Sequence, residues 1–344
     1  MCLVDVRGSG QGATQASAGV LAPYIEGHSA DLLRLGLRSL NQYDSFIARV
    51  ASDVGCPVEY RRLGTLQVAR SDGEVQKLKG AARAFKESSV PHTYLDGDGA
   101  RTLQPALSEG VCGALLVPDQ GYVGVASLMT ALKSAVRRHG TTFSIARVTS
   151  IVRQDGKVRV ETGEDRAAAD ALTADAVIVA AGSWSGGISL SPATSPPVHP
   201  VRGQLLKLRF PEPCLTHVIW GTEVYLVPWE DGSVLVGATV ENVDFDEHVT
   251  VAGVRQLLNS AEALVPMIAS ATFDGARVGL RPATSDDLPI IGSSSTVPGV
   301  YFATGHYRSG VLLAPLTASM MAALVLDGRE CAELALVRPD RFCL

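Results

Sequence analysis

Apolar and polar residues follow two patterns along the chain, and each pattern predicts a different kind of element. Apolar residues at helical spacing predict helices over residues 30–54, 73–87, 126–139, 254–264 and about 311–326. Continuous apolar runs, which are typical of strands buried in a parallel sheet, cover residues 2–6, 176–180 and 300–304. Buried strands that alternate with helices indicate an α/β fold.

A second pattern, in which apolar and polar residues alternate, interrupts the first. It predicts an antiparallel sheet from residues 201–210, 223–227 and 233–240. Residues 147–153 and 157–161 flank Asp155-Gly156, a turn pair that predicts a hairpin. Because antiparallel segments are inserted among parallel ones, we expect two interleaved domains. The first comprises residues 1–55, 116–195 and 280–344, and a substrate-binding domain comprises residues 56–115 and 196–279.

Composition and charge narrow the functional class. The 344 residues are 46% hydrophobic and 19% charged, which suits a large core and excludes a disordered chain. A formal net charge of -5 provides no basic surface of the kind that binds nucleic acid. The six cysteines contain no C-x-x-C pair, so neither a metal site nor a thioredoxin-like redox site is predicted.

Membrane and export signals are not visible in the sequence. The most apolar stretch, residues 311–326, is shorter than the roughly 18–20 residues that cross a bilayer. Pro315 and Ser319 also interrupt it. The first 20 residues lack a basic start followed by an apolar block. We therefore expect a soluble cytoplasmic protein with no membrane partner.

The first apolar run contains Asp5 and is followed by several glycines, an arrangement with three interpretations. Gly8, Gly10 and Ala13 fit G-x-G-x-x-A, the loop that binds the phosphates of a dinucleotide. Alternatively, Asp5 ends the second strand of a dinucleotide-binding unit and binds ribose hydroxyls. The phosphate loop should then lie about twenty residues upstream. The third interpretation is a glycine turn that binds no ligand.

The residues after the glycines favour the second interpretation. A phosphate loop must open directly into a helix whose N-terminus holds the pyrophosphate. Residues 14–22 have no clear amphipathic pattern and are followed by Pro23. Glu26, the next acidic residue, lies in a predicted loop flanked by glycine and proline, so it does not end a second strand.

Residues 3–23, with Asp5 and a run of small residues, resemble the segment after the second strand of flavin-dependent glycine oxidases and D-amino acid oxidases. The resemblance implies that Asp5 binds the FAD ribose and that the small residues lie against the diphosphate and the flavin. The matching positions are Asp5, Val6, Ala13, Thr14, Ala18, Gly19 and Val20. The family's Gly-x-Gly-x-x-Gly loop has no counterpart here, so the first strand and helix of the FAD-binding unit are expected to be missing.

Five further motifs resemble the same family in order and spacing. They lie at residues 225–228, 236–239, 279–282, 285–292 and 300–315. The resemblance implies that Arg281 binds the substrate carboxylate, a group that a guanidinium fork can bind with two hydrogen bonds. Tyr225 is implied to donate its hydroxyl to the same carboxylate, and Arg308 to be a second arginine near substrate and flavin.

The start of the last predicted helix is implied to meet the flavin through its free N–H groups and partial positive charge. Its residues are His306, Tyr307, Arg308, Ser309, Gly310, Val311 and Leu312. Val148 matches a position whose backbone meets the adenine, and a valine that only packs in the core is an equal interpretation.

The resemblance implies that the first of the two predicted domains is an FAD-binding domain of the glutathione-reductase type. It implies that the second is a substrate domain with a largely antiparallel sheet. The implied reaction is oxidative deamination of glycine or a small D- or N-methyl amino acid, with O₂ as oxidant and a keto acid, ammonia or an amine, and H₂O₂ as products. Glycine oxidase of thiamine biosynthesis is the best match. The alternatives are a dehydrogenase that uses another acceptor and an inactive, flavin-free remnant.

The sequence also leads to expectations about a catalytic base and about assembly. No side chain is assigned as a catalytic base, because positioning of a neutral amine suffices for hydride transfer. Tetramers are common in the family, so a homo-oligomer is among the expected states.

Overall fold

The computed structural model describes residues 1–8, 10–26, 29–163 and 170–344. In these residues the strands are β1 (Cys2–Val4), β2 (Val20–Leu21), β3 (Tyr60–Arg61), β4 (Thr65–Ala69), β5 (Thr93–Asp96), β6 (Gly113–Val117), β7 (Gly121–Val123), β8 (Thr142–Ser144), β9 (Val148–Gln154), β10 (Lys157–Thr162), β11 (Asp170–Ala174), β12 (Val177–Val179), β13 (Ser189–Ser191), β14 (His199–Arg209), β15 (Val218–Trp220), β16 (Tyr225–Pro228), β17 (Ser233–Gly237), β18 (Thr272–Ala283), β19 (Ile290–Ser293) and β20 (Val300–Thr304). The helices are α1 (Pro23–Glu26), α2 (Ala30–Leu40), α3 (Tyr43–Val54), α4 (Asp72–Glu87), α5 (Gly97–Leu103), α6 (Val125–Arg138), α7 (Val251–Leu264), α8 (Ala314–Asp327) and α9 (Leu334–Val337). Short 3₁₀ segments lie at Ala13–Ala16, Gly182–Gly187, Pro266–Ser270 and Pro339–Phe342.

The largest sheet has eight strands in the described residues, in the order β18-β14-β17-β16-β15-β4-β6-β5. Neighbouring strands are antiparallel except β15 and β4, which run parallel. The antiparallel sheet predicted from alternating residues is confirmed, although β17 ends at Gly237 and not at residue 240. Apolar residues of α5 and α7 pack against this sheet in one core cluster. In the ladder of β14 and β18, Arg281 lies opposite Val201.

Other parallel strand pairs lie outside the large sheet. β12 pairs in parallel with β20, and β1 pairs in parallel with β8. The predicted hairpin is confirmed as β9 and β10, whose turn residues Asp155 and Gly156 have φ values of 49° and 78°. The positive φ values explain the Asp-Gly pair, because these residue types enter the left-handed region at low cost. The chain therefore combines parallel and antiparallel sheets with helices, as the sequence pattern predicts.

The prediction that residues 176–180 are fully buried is wrong. Ile178 is 44% exposed. Within the part of the chain that the structure describes, β12 has a neighbouring strand, β20, along one edge only. β1 likewise has β8 along one edge only. Residues of β1 and β12 line the same large cavity, so the side chain of Ile178 faces open space where a fully paired strand would be covered.

The helix predicted over residues 30–54 is two helices, α2 and α3. The N–H of Asn41 donates to Leu37 O, four residues back, whereas the N–H of Gln42 donates to Ser39 O, three residues back. This change of spacing ends the hydrogen-bond series of α2. The N–H of Phe46 begins the series of α3 by donating to Gln42 O. The apolar face continues through the break, so the spacing of apolar residues cannot reveal it.

The helices near the C-terminus complete the core. α8, whose apolar residues pack with those of α2 and α9, begins at Ala314 and not near residue 311. Pro315 lies in its first turn, where the missing N–H costs no hydrogen bond. In the described residues, no helix combines the length and the apolar character needed to span a bilayer.

Candidate active site

A cavity of about 2210 Å³ lies between the large sheet and the parallel strands. Its wall includes residues of β1, β12, β16, β18 and the turn after β20. A pocket for a drug-sized ligand has a volume of roughly 300–1,000 Å³. The cavity therefore has room for a dinucleotide together with a small substrate.

Arg281 lies on β18 and is oriented by backbone carbonyl groups. Its Nη1 donates to Thr239 O at 2.9 Å and to Arg202 O at 3.3 Å. A Cβ atom on Gly203, which lies beside it on β14, would be 2.6 Å from the same Nη1. The absence of a side chain at Gly203 thus lets the guanidinium lie against the sheet.

The charge of Arg281 has no carboxylate partner within 4 Å among the described residues. Burial lowers the pKa of Arg281, yet an arginine stays protonated in proteins. A half-buried cation with spare N–H donors on a cavity wall favours an anion, and a carboxylate matches the planar fork. The geometry therefore suits the predicted carboxylate-binding role.

The segment that supplies Thr239 O is itself held by charge pairs. Arg202 is buried, and its guanidinium pairs with Glu241 at 2.6 Å and with Asp246 at 2.5 Å. Gln204 Nε2 also donates to Glu241 at 2.8 Å. These contacts fix the chain beyond β17 against β14, and thereby fix one of the two carbonyls that orient Arg281.

Tyr225 begins β16 and lies opposite Gly237 of β17. A Cβ on Gly237 would lie 2.6 Å from Tyr225 Oη, so the glycine leaves room for the ring. The ring of Trp220 lies at a centroid distance of 5.0 Å and limits its movement. Burial raises the pKa of Tyr225 to about 12, against the opposing charge of Arg281, so the hydroxyl stays protonated at neutral pH.

Residues 306–313 form a series of turns that ends where α8 begins, so the prediction that His306 to Leu312 open the helix is wrong. Tyr307 has a φ of 48°, in the left-handed region, and its N–H donates to Pro282 O at 2.8 Å. This bond joins the turns to the end of β18. Arg308 lines the cavity, with its guanidinium 5.3 Å from the ring centre of Tyr307.

His306 is held inside the protein as a neutral imidazole. Its Nε2 lies 3.0 Å from Thr317 Oγ1 of α8. Burial lowers the pKa of His306 to about 4. The ring therefore carries no charge at neutral pH, and Arg308 is the positive group of this segment.

Most residues predicted to meet the cofactor line the cavity. These are Asp5, Val6, Ala13, Thr14, Ala18, Val20, Val148, His306, Tyr307, Arg308, Gly310 and Val311. Asp5 Oδ1 accepts the N–H of Arg7 at 3.0 Å, which leaves the other carboxylate oxygen without a partner in the described residues. Val148 lines the cavity and also packs against a core cluster, so its contact with an adenine stays a prediction.

Three predicted cofactor residues lie behind the cavity wall. Gly19 pairs through its carbonyl with the N–H of Val123, Ser309 is buried, and Leu312 packs in a core cluster with Tyr43. They shape the backbone that faces the cavity but do not line it. A direct contact of their side chains with a ligand is therefore not part of this geometry.

The glycine-rich turn does not open into an α-helix. Ala13–Ala16 form a single 3₁₀ turn, and no α-helix follows until α1 at Pro23. A phosphate loop requires a helix N-terminus directly after the glycines. The structure thus favours Asp5 as the ligand-binding residue over Gly8 to Ala13 as a phosphate loop.

Glu26 is a charged residue of the cavity that sequence reasoning missed. Glu26 ends the helix α1, not a loop, and its side chain lines the same cavity as Arg281, Tyr225 and Arg308. Burial raises the pKa of Glu26 to about 7 against the charges of Arg308 and Arg281. No periodic signal marks it, because α1 has only four residues.

Comparisons with known proteins establish the family of this chain. Residues 1–324 match the family described as DAO: FAD dependent oxidoreductase. The chain is 30% identical over 331 residues to a glycine oxidase of Geobacillus kaustophilus, a match that covers 95% of this chain and 86% of the relative. It is 32% identical over 343 residues to a bifunctional ThiO/ThiG protein of Synechocystis, covering 98% of this chain. The chain spans about half the length of that relative, 49%.

A crystal structure of glycine oxidase from Geobacillus kaustophilus has the same fold. The TM-score is 0.91 at 29% sequence identity, and the match covers 98% of this chain and 90% of that chain. The α/β fold predicted from the sequence is confirmed by this similarity. The chain belongs to the DAO family of FAD-dependent oxidoreductases.

Proposed function

We propose that this protein catalyses the oxidative deamination of glycine or of a small D- or N-methyl amino acid. The observation that carries the proposal is the guanidinium of Arg281, which is oriented by two backbone carbonyls and has no carboxylate partner in the described residues. Tyr225 lines the same cavity and adds a hydroxyl donor. Together they suit the carboxylate of an amino acid.

The residues of the cavity also fit FAD. The volume exceeds that of a small substrate, and Asp5 has a carboxylate oxygen free to accept a ribose hydroxyl. Small residues from Ala13 to Val20 allow a flat ring system to approach the backbone. The turns at residues 306–313 would face the flavin. When bound, FAD accepts a hydride equivalent from the α-carbon of the substrate.

The proposed division of labour follows the two domains predicted from the sequence. Residues 56–115 and 196–279 contribute most strands of the large sheet, with Tyr225 and the carbonyls that orient Arg281. Residues 1–55, 116–195 and 280–344 contribute Asp5, the parallel strands and the turns before α8. The substrate would lie where the two sets of residues meet.

The role of the protein is to bind and orient the substrate. Two hydrogen bonds from Arg281 and one from Tyr225 would fix the rotation of the carboxylate, and thereby the direction of each α-hydrogen. Oxidation yields an imino acid, which water hydrolyses to a keto acid and ammonia, or to a keto acid and methylamine when the substrate is an N-methyl amino acid. With O₂ as the final oxidant the second product is H₂O₂.

We predict that the FAD-loaded protein oxidises glycine and D-alanine and leaves L-alanine unchanged. The reason is that a fixed carboxylate presents only one face of the α-carbon to the cofactor. The measurement is release of H₂O₂ and ammonia on glycine, D-alanine and L-alanine, and release of H₂O₂ and methylamine on sarcosine. Equal rates on the two alanines would refute the proposed orientation. Ammonia without H₂O₂ would identify a dehydrogenase that uses another acceptor.

A further inference from the structure

Glu26 brings a negative charge into a cavity whose other central charges are positive. Its carboxylate makes no hydrogen bond or ion pair with any described residue. It therefore neither caps a helix nor joins two elements. An unpaired carboxylate is costly to enclose, so its position calls for a partner that arrives with a ligand.

The backbone that carries Glu26 is fixed. The N–H of Glu26 donates to Ala22 O at 3.0 Å, and the N–H of Tyr24 donates to Gln120 Oε1 at 3.1 Å. Pro23, at the start of α1, is buried. The carboxylate thus extends from an anchored turn into the cavity.

Three groups from three elements act electrostatically on Glu26 or respond to it. They are Arg281 on β18, Arg308 in the turns after β20, and Tyr225 on β16. Both arginines lower the pKa of Glu26, but burial outweighs them and raises it to about 7. Glu26 thus shares a neighbourhood with the two groups assigned to the substrate carboxylate.

Three other carboxylates of the cavity wall have partners among the described residues. Asp175 pairs with Lys157, and Asp5 accepts the N–H of Arg7. Glu223 accepts a hydrogen bond from Ser260 at 3.1 Å. Glu26 is the carboxylate whose charge acts on both Arg281 and Tyr225.

We propose that Glu26 binds the α-ammonium group of the substrate and accepts one proton from it, and this inference rests on the proposed function. An amino acid in water is a zwitterion. Arg281 and Tyr225 complement its negative end, and Glu26 complements its positive end. A second cationic residue at this position would repel the ammonium group.

The proton transfer balances without any other reactant. The N–H bond of the ammonium breaks, a bond forms between that proton and an Oε atom of Glu26, and the electron pair stays on nitrogen. The resulting neutral amine can release a hydride from the α-carbon, whereas an ammonium group cannot, because its nitrogen has no free electron pair. Glu26 is thus a catalytic residue in addition to a binding residue.

The kinetic test compares Glu26→Gln with wild type across pH. Wild-type kcat/KM should fall as pH drops through about 7, because protonated Glu26 cannot accept a proton. In Glu26→Gln, kcat/KM at pH 8 should fall by about 10²-fold or more. It should recover at alkaline pH, where free neutral amine supplies the reactive form. Glu26→Asp should restore part of the rate, and Glu223→Gln is the matched control.

The binding test uses two ligands without an α-hydrogen, which cannot be oxidised. In Glu26→Gln, the Kd of 2-aminoisobutyrate, measured by calorimetry, should rise about tenfold or more, or about 1.4 kcal/mol. The Kd of 2-hydroxyisobutyrate, which lacks the ammonium group, should stay the same or fall. An equal change for both ligands would overturn the ammonium-binding role.

The outcomes separate this inference from the proposed function. If wild type oxidises no amino acid, the proposed function fails. If wild type is active and Glu26→Gln keeps its rate and its acid limb, the assignment of Glu26 fails. Folding is a separate readout: the raised pKa means that ionised Glu26 destabilises the fold above about pH 7, so Glu26→Gln should not lower the Tm at pH 8. If Glu26→Gln does not fold, two other measurements test the assignment of Glu26. They are the fall of wild-type kcat/KM at low pH and the kcat/KM of the Glu26→Asp variant.

Discussion

Arg281 is oriented by carbonyl groups, and these neutral partners explain how a half-buried cation can stay available for a ligand. A carboxylate partner would neutralise the guanidinium and compete with the substrate. The carbonyls of Thr239 and Arg202 occupy Nη1, and no other described residue bonds the remaining N–H groups. The same residue-scale logic applies to Tyr225, whose pKa is raised to about 12, so that it remains a donor across ordinary assay conditions.

Arg281→Lys keeps the charge but loses the planar fork and the carbonyl contacts that fix its direction. We expect a large rise in KM and a fall in kcat/KM equivalent to about 2–4 kcal/mol of transition-state binding. Steady-state kinetics with glycine or D-alanine provide the measurement. Arg277→Lys is the control, because Arg277 lies on the same strand and donates to Gln15 O. Unchanged kinetics in Arg281→Lys would remove this residue from the site.

Pairing between elements decides where the functional groups point. β14 and β18 run side by side, and Gly203 on β14 leaves the space that the guanidinium of Arg281 occupies. The same arrangement occurs between β16 and β17, where Gly237 leaves the space that the ring of Tyr225 occupies. In both cases a glycine on one strand makes room for a long side chain on the next.

Gly203→Ala should therefore impair substrate binding with little loss of fold. The added Cβ would lie 2.6 Å from Arg281 Nη1, so the guanidinium must move. A displacement of about 1 Å can cost on the order of 10²-fold in kcat/KM. The measurement combines kcat/KM with the Tm of each variant. Gly80→Ala on α4, where a Cβ meets no atom within 4 Å, is the control. Equal kcat/KM in both variants would contradict the proposed role of Gly203.

At the scale of the whole molecule, β1 and β12 are edge strands that line the same cavity. β1 and β12 each have one neighbouring strand among the described residues, and Ile178 of β12 is 44% exposed. Unpaired strand edges with apolar side chains are templates for association with another chain. The cavity that suits a large cofactor is thus also a surface on which another chain could pair.

Ile178→Lys should reduce concentration-dependent self-association, because a charge on an edge strand opposes pairing. Light scattering of the protein over a range of concentrations and temperatures is the measurement. Leu326→Lys on α8 is the control, since Leu326 is 80% exposed but lies on a helix. If both variants aggregate to the same extent, open strand edges do not drive association.

The sequence by itself determined the class of fold and the candidates for carboxylate binding. Apolar runs predicted β12 and β20, alternation predicted the large sheet, and the motifs around Tyr225 and Arg281 pointed to a flavin-dependent amine oxidase. These signals are local, because periodicity and short motifs depend on neighbours in the chain. The family is confirmed by the comparisons, whereas the roles of individual residues remain predictions.

Only the tertiary structure decided which distant residues share one environment. Glu26 is 255 positions before Arg281 (281 − 26), and no periodicity relates them, yet they act on each other across the cavity. The exposure of Ile178 and the neutral state of His306 also depend on what packs around them. Burial and electrostatic potential sum over groups that the fold brings together, so they cannot be inferred from the order of residues alone.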